Sequence, residues 1–366
     1  MQTKKFIFIF IALVMMLGLT ACGGSGGSSE GDKTGSESKK AILIVNGNLG
    51  DLGFFDSANA GMQRVKNELG LEVQVIEAGD DESKWESALA DAAEEDVHYV
   101  IAVSPSMVEP MQNIAPQYPN KKFLMMDNTV DYENGDYSNV YCATFKQNEG
   151  SFLAGTVAAT LAKENGMLGF VGGMDIPPIN DFLVGYIEGA LSIKQDIKVI
   201  ATYPGDYYDP AKGKEHGIVL INQGVEVMFA AAGPTGLGVI EAAVDAGKYI
   251  IGVDSDQSTA YKANGDEKTA NQIASSMMKN VGDAIFRAIE LDLKGELKFG
   301  ASESLGIAEG GVGLAKNDVY KSILTEAEQE AIEDIEKKVI SGEIKVSTAI
   351  GMTTEELDEI RNSVKP

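Results

Sequence analysis

The feature that most constrains this chain is an alternation. Short apolar runs are separated by longer stretches whose apolar residues recur at helical spacing, and the whole pattern occurs twice. Ala41–Val45 reads as a strand buried on both faces, and Asp56–Leu69 as a helix with Ala58, Met62, Val65 and Leu69 along one stripe. Leu71–Ile76, Tyr99–Val103, Lys122–Met126 and Val140–Phe145 continue as strands, with helices over Glu82–Glu95 and Ser106–Ala115. The pattern restarts with a helix at Glu149–Lys163. Strands at Met167–Val171, Ile197–Thr202, Val225–Ala230 and Tyr249–Val253 then alternate with helices at Asp181–Ile193, Ala211–Asn222 and Gly236–Ala246. After Gln272–Ser276 a helix is expected over Met277–Leu293, followed by an amphipathic helix at Glu326–Ile340 and a strand-like Glu343–Val346. Such an order implies parallel sheets covered by helices on both faces. Two runs of this size imply two Rossmann-like α/β lobes, each with its own core.

The first residues bear on the compartment. Lys4 and Lys5 precede an apolar run from Phe6 to Leu19, shorter than a comfortable membrane span. Leu19-Thr20-Ala21-Cys22 follows directly, a lipobox in which Cys22 takes acyl chains and becomes the mature N-terminus. Residues 1–21 are therefore expected to be a lipoprotein signal peptide, and 22–40, rich in Gly, Ser and charge, a flexible linker. Two or more acyl chains, each buried CH₂ contributing about 0.8 kcal/mol, would hold the body on the extracytoplasmic face of the cell membrane. Thirty Lys and Arg stand against 55 Asp and Glu. That excess opposes binding to nucleic acid and to anionic lipid headgroups. Cys142 is the one Cys besides Cys22, so it reads as a buried inert thiol, and with only His98 and His216 a zinc site is not expected.

Open α/β sheets bind ligands beyond the carboxyl ends of their strands, and pockets favour lobe interfaces. The strand ends here are Asn46, Ser104, Asp127, Gly172, Tyr203, Gly233 and Asp254. Asn46–Asp56 is Gly-rich and opens a helix, but it lacks the spacing of a phosphate cradle. Phe54 and Phe55 are adjacent in it. A helix turns about 100° per residue, so one should pack into the core and the other face the cleft. Asp127 is either a turn cap or a ligand contact. Asp254 suits a diol clamp, one carboxylate accepting from two vicinal hydroxyls. Tyr207 lies in a loop before Asp209-Pro210, where Asp209 reads as a helix cap. Free N–H groups after Gly233 can donate to a ligand oxygen. No nucleophile and base are spaced as a hydrolase would need, so no catalytic residue and no cofactor are expected.

Gly172-Gly173-Met174-Asp175-Ile176-Pro177-Pro178, Gly185-Tyr186-Ile187-Glu188-Gly189, Gly233-Pro234-Thr235-Gly236-Leu237-Gly238 and Gly252-Val253-Asp254-Ser255-Asp256-Gln257 resemble the basic membrane protein family. So do Asn148–Gly155, Asp209–Lys214 and Gly310–Leu314, and the likeness runs from Ala41 to about Val346. These are substrate-binding lipoproteins of ABC importers, typified by the purine nucleoside receptor. The resemblance implies a type I periplasmic-binding fold with three hinge crossings, lobe 1 being 41–145 plus 276–300 and lobe 2 being 146–275 plus 301–366. It implies a monomer that delivers adenosine, guanosine or inosine to permease subunits served by a cytoplasmic ATPase. By position Phe54 and Tyr207 would stack the purine, Asp127 and Asn46 would read the base edge, Asp254 and the Gly233 backbone would hold the ribose, and Lys279 would also reach the ligand. The family's Asp-Lys-Ser-Phe-Asn stands here as Asp51-Leu52-Gly53-Phe54-Phe55, and Asn46 replaces an Asp of well-known members. Phe55 therefore joins the candidate contacts in place of a polar group. A sugar or signalling molecule as ligand, a sensor or adhesin role, and an extracellular nucleosidase are the readings that compete.

Overall fold

The computed structural model describes residues 39–162 and 166–366. The expected signal peptide, the lipidation site Cys22 and nearly all of the expected linker lie outside the described residues. Lys40, placed in that linker, already pairs in the first strand.

The chain order is β1 (Lys40–Val45), α1 (Phe54–Leu69), β2 (Glu72–Glu77), α2 (Trp85–Glu94), β3 (Tyr99–Val103), α3 (Val108–Ile114), β4 (Lys122–Met126) and β5 (Val140–Phe145). There follow α4 (Gln147–Leu161), β6 (Met167–Gly172), α5 (Pro177–Ile193), β7 (Lys198–Thr202), α6 (Pro210–Asn222), β8 (Val227–Ala231), α7 (Pro234–Asp245) and β9 (Tyr249–Asp254). The chain ends with α8 (Gln257–Ala263), α9 (Glu267–Ala270), β10 (Ile273–Lys279), α10 (Val281–Leu293), β11 (Ala301–Leu305), β12 (Val312–Leu314), α11 (Asp318–Ile323), α12 (Glu326–Ile340) and α13 (Thr354–Ser363).

These strands make two six-stranded sheets, ordered β11-β5-β4-β3-β1-β2 and β12-β10-β9-β8-β6-β7. All pairings are parallel except β10 with β12. The expected α/β class with two Rossmann-like lobes is what forms. In each sheet the strand order reverses beside the first strand of its run, between β1 and β3 and between β6 and β8. The apolar runs were continuous because both faces are covered, and every residue of β3 is buried.

The chain crosses between the sheets three times, after β5, after β10 and after β11. The lobe limits differ from those expected. Ile273–Lys279 lies wholly in the second sheet and Ala301–Leu305 in the first, so the crossings fall near Asn280 and Gly306 rather than at 276 and 301. Met277–Lys279 is strand, not the start of a helix. A short apolar run fits either period, and here the free edge of β9 supplies a parallel partner. Glu343–Val346 is not a strand. No ladder meets it: the Ile344 amide donates to the Lys338 carbonyl at 3.1 Å, and Asn148 Nδ2 donates to the carbonyls of Val346 at 3.2 Å and Ser347 at 3.0 Å.

Cys142 is buried, the Tyr132 hydroxyl 3.2 Å from its sulfur, and burial pushes the thiol up. Among the described residues no helix is long and apolar enough to cross a membrane.

Candidate functional site

The carboxyl ends of both sheets face one cleft of about 810 Å³, its open mouth included. It sits at the two points where strand order reverses, where diverging connections leave a crevice. At the first, Asn46 after β1 donates through Nδ2 to Ser104 Oγ after β3, at 3.2 Å. At the second, the Gly173 amide after β6 donates to the Ala231 carbonyl of β8, at 3.0 Å.

Three strand-end residues have positive φ without being glycine: Ser104 at 100°, Asp127 at 72° and Asp254 at 67°. All three line the cleft. That conformation costs a residue with a Cβ on the order of 1–3 kcal/mol and persists where the surroundings impose it. Here it turns each side chain out of its sheet.

The first wall comes from the start of α1. Asp51 is 5% exposed and accepts from the amides of Gly53 at 3.1 Å, Phe55 at 2.8 Å and Asp56 at 3.0 Å. It thus caps a helix whose N-cap, Gly53, has no side chain to do so. Phe55 packs in the core and Phe54 is half-buried, their rings edge-to-face with centroids 5.5 Å apart. The division of the pair expected from the sequence is present, although both rings touch the cleft.

The second wall comes from the loop before α6. The amides of Gly205 and Asp206 donate to the Gly173 carbonyl at 2.9 and 3.0 Å, and the Tyr207 carbonyl accepts from Thr235 at 2.9 Å. Gly173 has to be glycine, because a Cβ there would enter the Tyr207 ring. Burial raises the Tyr207 hydroxyl's pKa, and the Asp127 carboxylate adds to it. Tyr208 also lines the cleft and reaches across it, its hydroxyl donating to the Asn46 carbonyl at 2.7 Å.

Lys279, at the end of β10, is the cation of the cleft. Its ammonium donates to both Asp127 oxygens at 2.8 and 3.0 Å, linking the two sheets. It lies 4.9 Å from the ring centroid of Phe182 and 5.7 Å from that of Phe54. Burial raises the Asp127 carboxyl and Lys279 pulls it back. Asp254 is pushed up to about 7, by burial first, with Lys279 opposing and Asp51 and Asp127 adding.

Seven of the eight residues expected to touch a ligand line this cleft: Phe54, Phe55, Asp127, Tyr207, Gly233, Asp254 and Lys279. Asn46 stands behind the lining, 2% exposed, with its Oδ1 buried and unpaired. Reading the sequence misses Phe182, Asp51 and Ser106 as lining residues. For Phe182 a signal exists, since it lies in the second turn of the helix that follows the strand end Gly172. Asp256, two residues after Asp254, caps α8 by accepting from the Thr259 amide at 3.3 Å. Among the described residues no three His, Cys, Asp or Glu converge to hold a metal ion.

Residues 38–349 match the model of a family described as ABC transporter substrate-binding protein PnrA-like. The chain belongs to the PnrA-like substrate-binding family. Basic membrane protein A of Borreliella burgdorferi is 31% identical to this member, over 94% of this chain and 96% of that protein. The ABC transporter nucleoside-binding protein BmpA of Lactococcus lactis is 30% identical, over 92% of this chain and 96% of that protein. An ABC transporter solute-binding protein from Aeropyrum pernix superposes with a TM-score of 0.76 at 26% identity, over 89% of this chain and 98% of that one. The PnrA-like family consists of solute-binding proteins rather than enzymes, and such proteins work with permease and ATPase components.

Proposed function

We propose that this chain is a lipid-anchored receptor on the extracytoplasmic face of the membrane that captures a purine nucleoside between its lobes for import. The observation that carries the reading is the chemical balance of the cleft. Five aromatic rings, Phe54, Phe55, Phe182, Tyr207 and Tyr208, stand with three carboxylates, Asp51, Asp127 and Asp254, and one ammonium, Lys279. Asp51 already spends its oxygens on the α1 amides, and Asp127 shares its own with Lys279. Among the described residues Asp254 has no such hydrogen-bond partner, so its oxygens can accept from hydroxyls.

A ligand suited to these walls is flat, neutral and rich in N–H and O–H donors. A purine offers a π-face, worth about 1–3 kcal/mol of stacking per base. Its ribose offers the vicinal diol that a carboxylate accepts in two bonds. A phosphate ester would meet the carboxylates unfavourably. The name of the Lactococcus lactis relative supports the same ligand class. The name of a Pyrococcus furiosus relative, an uncharacterized lipoprotein, supports the anchor at Cys22.

The described residues belong to one compact unit, so the lipid-free body can be titrated calorimetrically after unfolding and refolding have stripped any bound ligand. Inosine, guanosine and adenosine are expected to bind, and cytidine more weakly because its single ring fills less of the aromatic slot. If no nucleoside binds, the receptor role stands on the family and the nucleoside is discarded. Mass spectrometry of the natively purified protein would then identify the cargo.

A further inference from the structure

Ile176, Pro178, Ile179 and Phe182 form one wall of the cleft. Within their own helix the amides of Ile179 and Asn180 donate to the Ile176 carbonyl at 3.0 and 2.9 Å, but no side chain caps the start. The N-cap of α5 is Ile176, which has no side-chain acceptor, and the first turn carries Pro177 and Pro178, which have no amide hydrogens. Gln147 Nε2 donates to the Pro178 carbonyl at 3.2 Å, and a further restraint comes from 181 residues along the chain.

Nη2 of Arg361, on α13, lies 2.6 Å from Asp175 Oδ1, 2.8 Å from Asn180 Oδ1 and 2.8 Å from the Tyr203 hydroxyl. Asn180 Nδ2 donates to Asp175 at 2.9 Å, and the Tyr203 hydroxyl donates to Asn180 Oδ1 at 2.8 Å. The guanidinium also sits over the Tyr203 ring, 5.3 Å from its centroid. Asp175 and Asn180 bracket Ile176, Pro178 and Ile179, and Phe182 follows two residues after Asn180. The Arg361 side chain is 16% exposed, and it is not itself part of the cleft lining.

The rest of α13 is attached differently. Leu357 packs against Val184 and Ala349 in a small apolar cluster. The helix therefore has an apolar anchor that docks it and a polar tip that reaches the wall, and the two can be varied separately.

We propose that Arg361 is a positioning residue for ligand binding: by tying Asp175 to Asn180 it sets where the Ile176–Phe182 wall stands against the ligand. A planar guanidinium is suited to this, since it meets several acceptors in fixed geometry and stacks on an aromatic ring, whereas an ammonium is a point charge. The inference rests on the cleft being the ligand site and not on the ligand being a nucleoside.

The test compares Arg361→Gln, Arg361→Lys, Asp175→Asn and Leu357→Ala with the unaltered full chain in detergent. Amide hydrogen exchange is read first, without ligand. Arg361→Gln is expected to speed exchange at Ile179–Phe182 about tenfold, as loss of charged hydrogen bonds would, and to leave β1 and β3 unchanged. Asp175→Asn should reproduce this and Arg361→Lys should restore part of it. Leu357→Ala should loosen α13 and lower the melting temperature with no such change at the wall. Inosine dissociation, followed by stopped flow, should then accelerate about tenfold in Arg361→Gln and Asp175→Asn. Unchanged exchange at Ile179–Phe182 in both of those variants would overturn the proposal. So would an Arg361→Gln profile matching that of Leu357→Ala. If Arg361→Gln fails to fold, Asp175→Asn and Arg361→Lys carry the same comparison. If the unaltered protein binds no inosine, the exchange measurement still decides, and that failure belongs to the nucleoside reading alone.

Discussion

Asp254 shows how one residue couples strand geometry to ligand chemistry. Its φ of 67° turns the carboxyl out of β9 and into the cleft, where it is 8% exposed. Burial is the main reason its pKa rises from 3.8 to about 7. The unfolded chain ionises this group near 3.8 and the folded chain near 7, so between those values the folded state holds the extra proton. Stability from this group is therefore greatest below pH 3.8 and declines as pH rises toward 7. Hydroxyl donors favour the ionised form, so a diol should expel that proton. Calorimetric titration with inosine at pH 6 is expected to show proton release, read as a heat that varies with the buffer's ionisation enthalpy. Affinity should climb between pH 5 and pH 7, about where the group ionises. Asp254→Asn should weaken inosine about ten- to hundredfold, since each bond to a charged acceptor is worth about 1.5–3 kcal/mol, and should abolish the pH dependence. The same variant should bind 2′,3′-dideoxyinosine as the unaltered protein does. Equal losses for both ligands would remove the diol clamp from the account. Tyr207→Ala should cost about 1–3 kcal/mol of binding, while Tyr207→Phe keeps the ring and should cost little.

Among the elements, α4 and α5 set the framework of the second lobe, and their separation is set by glycine. A Cβ on Gly155 would run into the Tyr186 carbonyl, one on Gly185 into the Asn148 carbonyl, and one on Gly189 into the Phe152 carbonyl. Backbone cannot rotate aside as a side chain can. Gly189→Ala gains about 1 kcal/mol of helix propensity but forces the helices apart, and overpacking costs about 1–3 kcal/mol. Net destabilisation is expected, seen as a lower melting temperature. Gly236→Ala, also in a helix, is the counter-case. Its Cβ would sit 3.6 Å from the Ala230 Cβ, an ordinary contact, so this change should be neutral or stabilise by up to about 1 kcal/mol. A drop in melting temperature for both would mean that something other than close approach decides. The glycines were visible in the sequence as motifs. That three of them face carbonyls of a neighbouring helix was not, because that depends on the crossing of two helices.

At the scale of the whole molecule, three polar contacts among the described residues join the lobes directly. They are Lys279 to Asp127 at 2.8 Å, Tyr208 to the Asn46 carbonyl at 2.7 Å, and Ser255 Oγ to the Leu52 carbonyl at 2.7 Å. Each links the carboxyl end of one sheet to the other lobe, so each exists only when the cleft is closed. A hinged receptor retains its cargo for as long as closure is favoured. Tyr208→Phe removes one hydrogen bond, worth about 1 kcal/mol, and should shift the balance of open and closed forms about fivefold toward open. The expected result is ligand release about fivefold faster, measured by stopped flow, whichever cleft ligand is used. Unaltered release would assign closure to the ion pair and the Ser255 contact.

Much of this was legible in the chain itself. The doubled alternation of apolar run and helix dictated two parallel sheets, since a strand apolar on both sides must be covered on both. The strand ends then marked Asp127, Gly233 and Asp254, because local pattern places the end of a strand to within a residue or two, and the loops beyond two other strand ends marked Phe54 and Tyr207. Family motifs added Lys279 while local pattern put it on a helix, and only the open edge of β9 made Ile273–Lys279 a strand. Tertiary structure alone decided which lobe holds Ala301–Leu305, why Asn46 stands behind Ser104 and Tyr208, and how Arg361 comes to grip Asp175. Strand pairing across a sheet and contact between residues nearly two hundred positions apart leave no local period to read. They follow from which edges and surfaces remain unsatisfied after the local elements have formed.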